Sequence, residues 1–328
     1  MKVLFIGGTG IISSACSALA LDQGIDLYLL CRGKSARPVP ARAKVLHGDI
    51  RDPGSARAAL GEHRFDVVVD WVAFEERHIE IDLELFSGRT RQYLFISSAS
   101  AYKTPPTHLP VTEATPLHNP FWAYSRAKIT CEERLTRAYR EQGFPATIVR
   151  PSHTYDRTLL PPHGGYAVID RMRRGKKVVV HGDGSSLWVL THHRDFAKGF
   201  NGLFGLDAAI GEAFHITSDE VLTWDQIHHI LGRAAGAEPK IVHVPSDFIA
   251  RFDQSWGDSL LGDKTHSMIF DNTKIKRFVP GYRATIPFSR GAEEILAYYD
   301  EDPSRRVVDD AYDQVVDRIV GVYEKALG

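Results

Sequence analysis

Tyr124 and Lys128 form a Tyr-x-x-x-Lys motif that could move a proton. Four residues make about one helical turn, so the phenol and the ammonium would lie on one helix face. A nearby ammonium stabilises tyrosinate and lowers the pKa of Tyr124, which could then exchange a proton with a substrate hydroxyl or carbonyl. Ser98 follows a predicted strand and could form a second hydrogen bond to the same oxygen. These three residues are the predicted catalytic set.

A glycine-rich turn near the start of the chain could bind a pyrophosphate. Gly7 and Gly10 belong to the segment Gly-Gly-Thr-Gly-Ile-Ile-Ser, which lies between a predicted strand and a predicted helix. Glycine permits a tight turn, and the helix N-terminus presents free N–H groups to the anion. Ser13 stands where a third glycine is usual. We predict that Gly7, Gly10, Ile11 and Ile12 contact a dinucleotide, with a plain flexible turn as the alternative.

The end of the second predicted strand favours NADP over NAD. An acidic residue about 20 positions after the glycines would bind the ribose 2′-hydroxyl of NAD. Cys31 occupies that place, and Arg32 and Lys34 follow it. These two cations could bind a 2′-phosphate, or they could be solvated loop charges. The predicted cofactor is therefore NAD(P), leaning to NADP.

Two further strand ends are predicted to contact the dinucleotide. Asp49, with Ile50 beside it, could accept a hydrogen bond from the adenine amino group. The alternative is an ordinary turn in which Asp52 caps the next helix. Trp71 and Ala73 follow the fourth strand and either line the nicotinamide side or belong to the core.

Short apolar runs alternate with helical stretches along the chain, which predicts βαβ units and a parallel sheet. The predicted strands cover 2–6, 27–30, 45–46, 67–69, 93–96, 146–149 and 214–216. The predicted helices cover 11–23, 53–60, 79–86, 122–142 and 305–327. We expect a dinucleotide-binding domain over 1–160 with returning segments at about 177–220, a substrate lobe over 161–176 and 221–288, and C-terminal helices over 289–328.

The composition excludes several classes of protein. The 328 residues are 43% hydrophobic and 25% charged, with 40 Lys and Arg against 41 Asp and Glu, so a disordered chain is excluded. The net charge of −1 gives no general attraction to nucleic acid or to an anionic membrane. Three distant cysteines form neither a disulfide framework nor a metal knuckle, which fits a cytoplasmic setting.

These motifs together resemble the extended short-chain dehydrogenase/reductase family, in its NAD-dependent epimerase/dehydratase branch. The resemblance is carried by Gly7/Gly10, Asp49, Ser-Ser-Ala-Ser-Ala-Tyr at 97–102, Tyr124/Lys128, Val149-Arg150-Pro151 and Gly182-Asp183-Gly184. It implies a doubly wound Rossmann sheet, an α/β fold, with a smaller C-terminal substrate lobe. It also implies that Ser98, Tyr124 and Lys128 act as a triad, that Lys128 contacts the ribose, and that a hydride moves between substrate and nicotinamide.

Departures from the family pattern restrict the reaction. Sugar-nucleotide dehydratases follow the catalytic serine or threonine with an Asp-Glu pair, and decarboxylating relatives keep the glutamate. Ala99 and Ser100 stand at those positions here and cannot do that proton work. Dehydration and decarboxylation are therefore disfavoured, and the pattern is most similar to the 4-epimerases.

Two other departures concern the substrate. His153 replaces a usual asparagine, and Trp188 replaces an arginine that binds the substrate pyrophosphate in UDP-sugar epimerases. Either other cations replace it, among them Lys264 and the basic cluster at 171–177, or the substrate is not a nucleotide sugar. A solvated helix end is the favoured interpretation of the cluster. The predicted substrate contacts are Ser98, Ala99, Trp122, His153, Trp188 and Lys264.

Two classes of function remain after these restrictions. The first is an epimerase acting on a sugar-like hydroxyl or ketone, with a net NADP-dependent ketoreductase as the alternative. The second is a cofactor-binding or RNA-binding protein, because relatives of plant chloroplast stem-loop RNA-binding proteins also tend to have a basic segment like Arg32-Gly33. The intact triad favours the enzyme. We expect a small-molecule substrate, no nucleic acid, no membrane and no metal, since the histidine pairs at 192–193 and 228–229 lack further ligands; a homodimer is left open.

Overall fold

The computed structural model describes residues 1–327, so residue 328 of the predicted C-terminal helices lies outside the described residues. The strands are β1 (Lys2–Ile6), β2 (Asp26–Cys31), β3 (Lys44–His47), β4 (Phe65–Asp70), β5 (Thr90–Ile96), β6 (Ala146–Pro151), β7 (His153–Tyr155), β8 (Lys177–His181), β9 (Leu187–Trp188), β10 (Leu190–His192), β11 (Ala213–Ile216), β12 (Leu222–Thr223) and β13 (Lys240–Val244). The helices are α1 (Ile11–Asp22), α2 (Pro53–Leu60), α3 (Glu76–Phe86), α4 (Ala123–Gln142), α5 (Tyr166–Arg173), α6 (His193–Asn201), α7 (Trp224–Ala235), α8 (Ser246–Ala250), α9 (Gln254–Ser259), α10 (Thr273–Phe278), α11 (Phe288–Glu301) and α12 (Asp310–Leu327).

Seven parallel strands form the central sheet in the order β3-β2-β1-β4-β5-β6-β11. The chain reverses direction across the sheet after β3, which leaves a crevice at the carboxyl ends of β1 and β4. Strands such as β4 are apolar on both faces because helices cover the sheet from both sides. The predicted doubly wound Rossmann fold is confirmed.

Each face of the sheet has its own core. On one side, α1, α6 and α10 bury residues such as Cys16, Phe200 and Ile275 against the sheet. On the other side, α2, α3 and α4 contribute residues such as Leu60 and Leu135. Helix α4, which carries Tyr124 and Lys128, is therefore one of the layers that cover the sheet, and its position depends on the packing of that face.

The second lobe differs from the predicted boundaries. β8 pairs with β13 in a separate two-stranded sheet, so 177–181 lie with this lobe and not with the returning segments of the Rossmann domain. Conversely, Ile275 of α10 and Tyr282 lie in the core of the central sheet, although both were assigned to the substrate lobe. Strand pairing places 177–181 and core packing places Ile275 and Tyr282, in both cases through partners that lie far away in the sequence. Among the described residues, no helix is both long and apolar enough to cross a membrane.

The basic cluster at 171–177 holds the C-terminal helix α12 in place. Arg171 is 1% exposed and donates to Asp313 at 2.5 Å and to Asp317 at 2.6 Å. Lys176 contacts the same two carboxylates, and Lys177 contacts Glu324. The cluster is neither the solvated helix end that the sequence favoured nor a free clamp for a diphosphate, because acidic residues about 140 positions later pair with it.

Replacing Arg171 by alanine should lower the free energy of unfolding by about 2–4 kcal/mol, because it removes the buried guanidinium that joins α5 to Asp313 and Asp317 and leaves a cavity in its place. Denaturant titration of the full chain measures this change. Arg174→Ala is the matched control, since Arg174 is 44% exposed and its contact with Asp313 is longer, at 3.4 Å. The control should change stability by less than about 0.5 kcal/mol. Equal effects of the two variants would contradict the role of Arg171.

Candidate active site

The glycine turn between β1 and α1 packs closely against the segment that follows β4. Gly7 has a φ of +84°, and a Cβ there would lie 2.7 Å from Cγ1 of Val72. Ser13 accepts a hydrogen bond from the Gly10 amide at 2.6 Å and donates one to the Gly7 carbonyl at 3.1 Å. The serine that replaces the usual third glycine therefore holds the turn in shape. Ile11 and Ile12 begin the helix, whose first N–H groups can bind an anion.

A cavity of about 700 Å³ lies beside this turn. Its lining contains Gly7, Asp49 and Phe74. Four cations also line it: Arg32, Lys34, Arg37 and Arg51. Arg32 is 60% exposed and lies 3.8 Å from the carboxylate of Asp49. The volume is within the range of about 300–1,000 Å³ for ligand sites, and the excess of positive charge suits a phosphorylated ligand. The residues therefore fit a dinucleotide.

The other residues predicted to contact the dinucleotide lie at several depths. Ile50 lines the cavity. Asp52 caps α2 as the alternative interpretation had it, yet the carboxylate of Asp49 still faces the cavity. Trp71 packs against the rings of Phe5 and Phe200, at centroid distances of 5.4 and 4.8 Å, and so contributes to the core.

Lys128 is buried at the centre of the site. Its ammonium donates to the main-chain carbonyl of Ala73 at 2.6 Å and to that of Ile96 at 2.7 Å. Burial lowers the pKa of Lys128 to about 8. Because an ammonium has three N–H donors, one remains for a further acceptor. Lys128 is thus fixed at the carboxyl ends of β4 and β5, beside Phe74 of the dinucleotide cavity.

Tyr124 lies one helical turn before Lys128 and is half-buried. Burial raises the pKa of Tyr124 to about 12, and a hydrogen bond with Ser98 opposes this effect. The expectation that the ammonium lowers this pKa is not met in the structure. The Lys128 nitrogen lies 5.8 Å from the Tyr124 ring centroid and directs two of its N–H groups to main-chain carbonyls instead.

A chain of serine hydroxyls extends from Ser98 into α4, and sequence reasoning missed it. The hydroxyls of Ser98 and Ser100 are 2.9 Å apart, and that of Ser125 donates to Ser100 at 2.7 Å. Ser100 and Ser125 are buried. Ala99 is also buried, directly between the two serines. The chain can orient the Ser98 hydroxyl toward an oxygen atom that is held near Tyr124.

Asn119 connects the catalytic helix to the second lobe, and it too was missed. Its amide donates to the carbonyls of Ser100 at 2.8 Å and Gly262 at 2.6 Å. Its oxygen accepts from the main-chain amides of Phe121 and Trp122, which precede α4. One buried side chain therefore joins the serine loop, the start of α4 and the segment 260–264. The Asn-Pro pair at 119–120, just before a helix, is the sequence signal that could have indicated it.

Glu132 follows Lys128 by one more helical turn and forms a buried ion pair with Arg150. The guanidinium donates to both carboxylate oxygens, at 2.9 Å from Nε and 2.5 Å from Nη2. The Ser97 hydroxyl donates to the same carboxylate at 2.5 Å. Tyr124, Lys128 and Glu132 are spaced by four, so one helix face carries both the candidate catalytic groups and their anchor.

A second cavity, of about 280 Å³, lies in the second lobe and has His153 and Lys264 in its lining. The Lys264 ammonium lies 5.6 Å from the Trp122 ring, and that ring is 5.0 Å from the Tyr124 ring. Burial lowers the pKa of His153 to about 3. Trp188 is 1% exposed and does not line this cavity; its ring packs in the lobe core, 5.7 Å from the ring of Trp224, which does line it.

The histidine pair at 192–193 lies where β10 ends and α6 begins. His192 ends β10 and accepts a hydrogen bond from the Arg194 amide, while His193 begins α6. The two rings are 4.7 Å apart and do not point to opposite faces of a strand. His192 also contacts Glu294 at 3.2 Å. Among the described residues, no group of three or more His, Cys, Asp or Glu could hold a metal ion.

The amino-acid sequence matches a known protein family. Residues 3–203 match the model of the NAD dependent epimerase/dehydratase family. The chloroplast stem-loop binding protein of 41 kDa b from Arabidopsis thaliana is 28% identical over 262 residues, which cover 75% of this chain and 67% of that protein. UDP-glucose 4-epimerase from Lactobacillus helveticus is 28% identical over 168 residues, 46% of this chain and 51% of the relative.

A solved structure shows the same fold over most of the chain. UDP-glucose 4-epimerase from Bifidobacterium longum, solved in complex with NAD⁺ and UDP, aligns with a TM-score of 0.74. The alignment covers 93% of this chain and all of that chain, at 18% identity. At this level of identity, the similarity establishes the shared fold.

Replacing Asn119 by alanine should lower the free energy of unfolding by about 2–4 kcal/mol, because four hydrogen bonds are lost and buried partners remain unpaired. The amide of Trp122 should also exchange with solvent faster, since it loses its acceptor. Denaturant titration and hydrogen exchange measure the two effects. His118→Ala, at the exposed neighbouring position, is the control and should leave both unchanged. Unchanged exchange at Trp122 in Asn119→Ala would contradict the role of Asn119.

Proposed function

The chain belongs to the NAD dependent epimerase/dehydratase family, and we propose that it oxidises and reduces a hydroxyl-bearing carbon of a sugar-like substrate with Tyr124 as the proton carrier. The bound nicotinamide dinucleotide supplies the hydride acceptor and donor for this reaction. The observation that carries the proposal is the convergence of Ser98, Tyr124 and Lys128: Ser98 is hydrogen-bonded to Tyr124, and the Lys128 nitrogen lies 5.8 Å from the Tyr124 ring centroid.

The proton path follows from the hydrogen bonds around Tyr124. A substrate oxygen beside the Tyr124 hydroxyl would gain or lose its proton there, while Ser98 would hold the same oxygen in place. Ser100 and Ser125 keep the Ser98 hydroxyl oriented through the serine chain. A phenol whose pKa is raised by burial is protonated at neutral pH, which suits donation to a developing alkoxide.

Lys128 and the glycine turn are the proposed contacts to the dinucleotide. The turn offers N–H groups at the start of α1 to the pyrophosphate. The third N–H of Lys128 is free for a ribose hydroxyl beside Phe74. Arg32 and Lys34 are the proposed contacts to a 2′-phosphate, which makes NADP the favoured cofactor. Arg32 is exposed and only weakly held by Asp49, so it can turn toward the ligand.

Epimerisation is the favoured reaction and net ketone reduction the alternative. An epimerase returns the hydride to the substrate and retains its dinucleotide, whereas a reductase releases it after each turnover. Mass analysis of the molecules that leave the denatured protein distinguishes these cases. We propose that dehydration and decarboxylation are not its reactions, because Ala99 and Ser100 supply no carboxyl group at the positions those reactions use.

Nucleic-acid binding without catalysis is the second candidate function. The similarity to a chloroplast stem-loop binding protein favours it. Against it stand the near balance of 40 basic and 41 acidic residues and the burial of Lys128 one helical turn after Tyr124, an arrangement that a binding protein does not need. We therefore propose a cytoplasmic enzyme that acts on a small molecule.

Tyr124→Phe should lower turnover by roughly 10²- to 10⁴-fold, the usual contribution of an acid–base group, and leave dinucleotide affinity within about twofold. Conversion of the substrate, followed by NMR, measures turnover whether or not the dinucleotide is released, and calorimetric titration measures affinity. Tyr139→Phe is the matched control, because Tyr139 lies on the same helix and is 40% exposed. If Tyr124→Phe retained more than half of the activity, Tyr124 would not be the proton carrier.

Arg32→Ala should weaken NADP binding by roughly ten- to hundredfold and leave NAD binding nearly unchanged, because a charged hydrogen bond contributes about 1.5–3 kcal/mol. Titration of both dinucleotides against wild type and variant measures the two affinities. Arg42→Ala, an exposed cation on the same loop that pairs with Asp22, is the control. An equal loss for both dinucleotides would mean that Arg32 stacks on the adenine, and a wild type that prefers NAD severalfold would overturn the NADP assignment.

A further inference from the structure

The 280 Å³ cavity of the second lobe has a chemistry that restricts the substrate. Its volume lies just below the lower end of the range of about 300–1,000 Å³ for ligand pockets. Imidazole, indole and aliphatic groups form most of its wall, including His153, His181, His228 and Trp224. Lys264 in its lining lies 5.6 Å from the Trp122 ring, which is 5.0 Å from the Tyr124 ring, so the cavity lies on the Tyr124 side of the second lobe.

The cavity carries little positive charge. Lys264 is the cation of its lining, and the ammonium is 3.2 Å from the carboxylate of Asp263. Burial lowers the pKa of His181 to about 4 and that of His153 to about 3, so both rings are uncharged near pH 7. Arg171, the buried cation of the neighbouring helix α5, is engaged by Asp313 and Asp317. A diphosphate would therefore lose its hydration here without a matching cation.

The hydrogen-bonding groups of the wall suit hydroxyls and not phosphate oxygens. Nε2 of His181 lies 2.9 Å from the carbonyl of Lys264, and Nδ1 of His228 lies 2.8 Å from the carbonyl of Trp224. Each of these nitrogens must carry the proton, so the other ring nitrogen presents a lone pair. Such a lone pair accepts a hydrogen bond from a ligand hydroxyl. It repels the oxygens of an ionised phosphate, because those oxygens have no proton to donate.

One donor in the wall has no partner among the described residues. The indole nitrogen of Trp224 is buried without a hydrogen bond, and Trp224 is 2% exposed. A buried unpaired donor costs free energy unless a ligand or water satisfies it. The aromatic faces beside these groups can pack against the C–H face of a sugar ring.

We propose that the substrate is a compact, uncharged, hydroxyl-rich molecule, a free sugar or cyclic polyol, and that it carries no nucleoside diphosphate. This inference rests on the proposed function, because it names the substrate of the same reaction. It also decides between the two explanations for the departure at Trp188: the pyrophosphate arginine has not been replaced by other cations, because the substrate has no pyrophosphate.

Ligand binding to the full chain saturated with NADP⁺ tests the proposal. The probes are free aldohexoses, aldopentoses, hexitols and inositols on one side, and UDP and UDP-glucose on the other, followed by saturation-transfer NMR. We expect saturable binding of at least one free compound and none of UDP or UDP-glucose up to about 1 mM. Binding of UDP-glucose at micromolar concentration would overturn the proposal, as would failure of every free compound to bind.

A pair of variants locates the bound compound. His228→Phe removes a lone pair from the cavity wall and should weaken the free ligand by about two- to tenfold, the range of a single hydrogen bond. His229→Phe carries the same change at the next, exposed position and should have no effect. NADP⁺ affinity confirms that each variant is folded. Equal affinities of the two variants for the free compound would place the ligand elsewhere and overturn the proposal.

Turnover separates this proposal from the proposed function. A nucleotide sugar that is converted in a reaction dependent on Tyr124 would support the function and overturn the substrate class. A free sugar that binds in a manner dependent on His228, but is neither oxidised nor epimerised, would support the substrate class and contradict the function.

Discussion

The buried ion pair between Glu132 and Arg150 fixes the catalytic helix on the sheet. Burying two charges is costly, and the cost is offset only when the geometry is good and further hydrogen bonds are made. Here two guanidinium nitrogens reach the carboxylate, and Ser97 at the end of β5 adds a third donor. The pair sets both the rotation and the axial position of α4, so Tyr124 and Lys128 can point only toward the carboxyl ends of the strands.

Helix α4 lies between the basic cavity beside the glycine turn and the largely aromatic and aliphatic cavity of the second lobe. Lys128 reaches toward the dinucleotide cavity, and Tyr124 with Trp122 faces the second lobe. Asn119 keeps these two sides together, because it bonds the start of α4 and the segment 260–264 at once. A shift of α4 or of the segment 260–264 would change the distance between Tyr124 and that segment. The hydrogen bonds of the Asn119 side chain therefore help to fix this distance.

The parts that were predictable from the sequence depend on local spacing. The glycine turn, the Tyr-x-x-x-Lys motif and the βαβ units of a parallel sheet follow from patterns within short windows, and the resemblance to the family implied the doubly wound arrangement. The role of Arg171 could not be foreseen, because its carboxylate partners are 142 and 146 residues away. The raised pKa of Tyr124 was not predicted either. The spacing of four indicates that the Lys128 ammonium is near, but it shows neither the burial of the phenol nor the main-chain carbonyls that accept from this ammonium. The position of Glu132 on the same helix face could have been predicted, because it continues the spacing of four from Tyr124 and Lys128.

The distribution of charge explains how one fold could keep a phosphorylated cofactor and the substrate apart. Basic residues surround the cavity beside the glycine turn, whereas Arg171, Arg173 and Lys177 of the second lobe pair with acidic residues of α11 and α12, and Lys264 in the lining of the second cavity pairs with Asp263. Because anions gain free energy only where cations or helix N-termini are available, a dinucleotide has one favourable location and the neutral cavity has none for it. Pairing of the lobe cations with the C-terminal helix therefore stabilises the lobe and also leaves its cavity uncharged. Stability and selectivity arise from the same set of ion pairs.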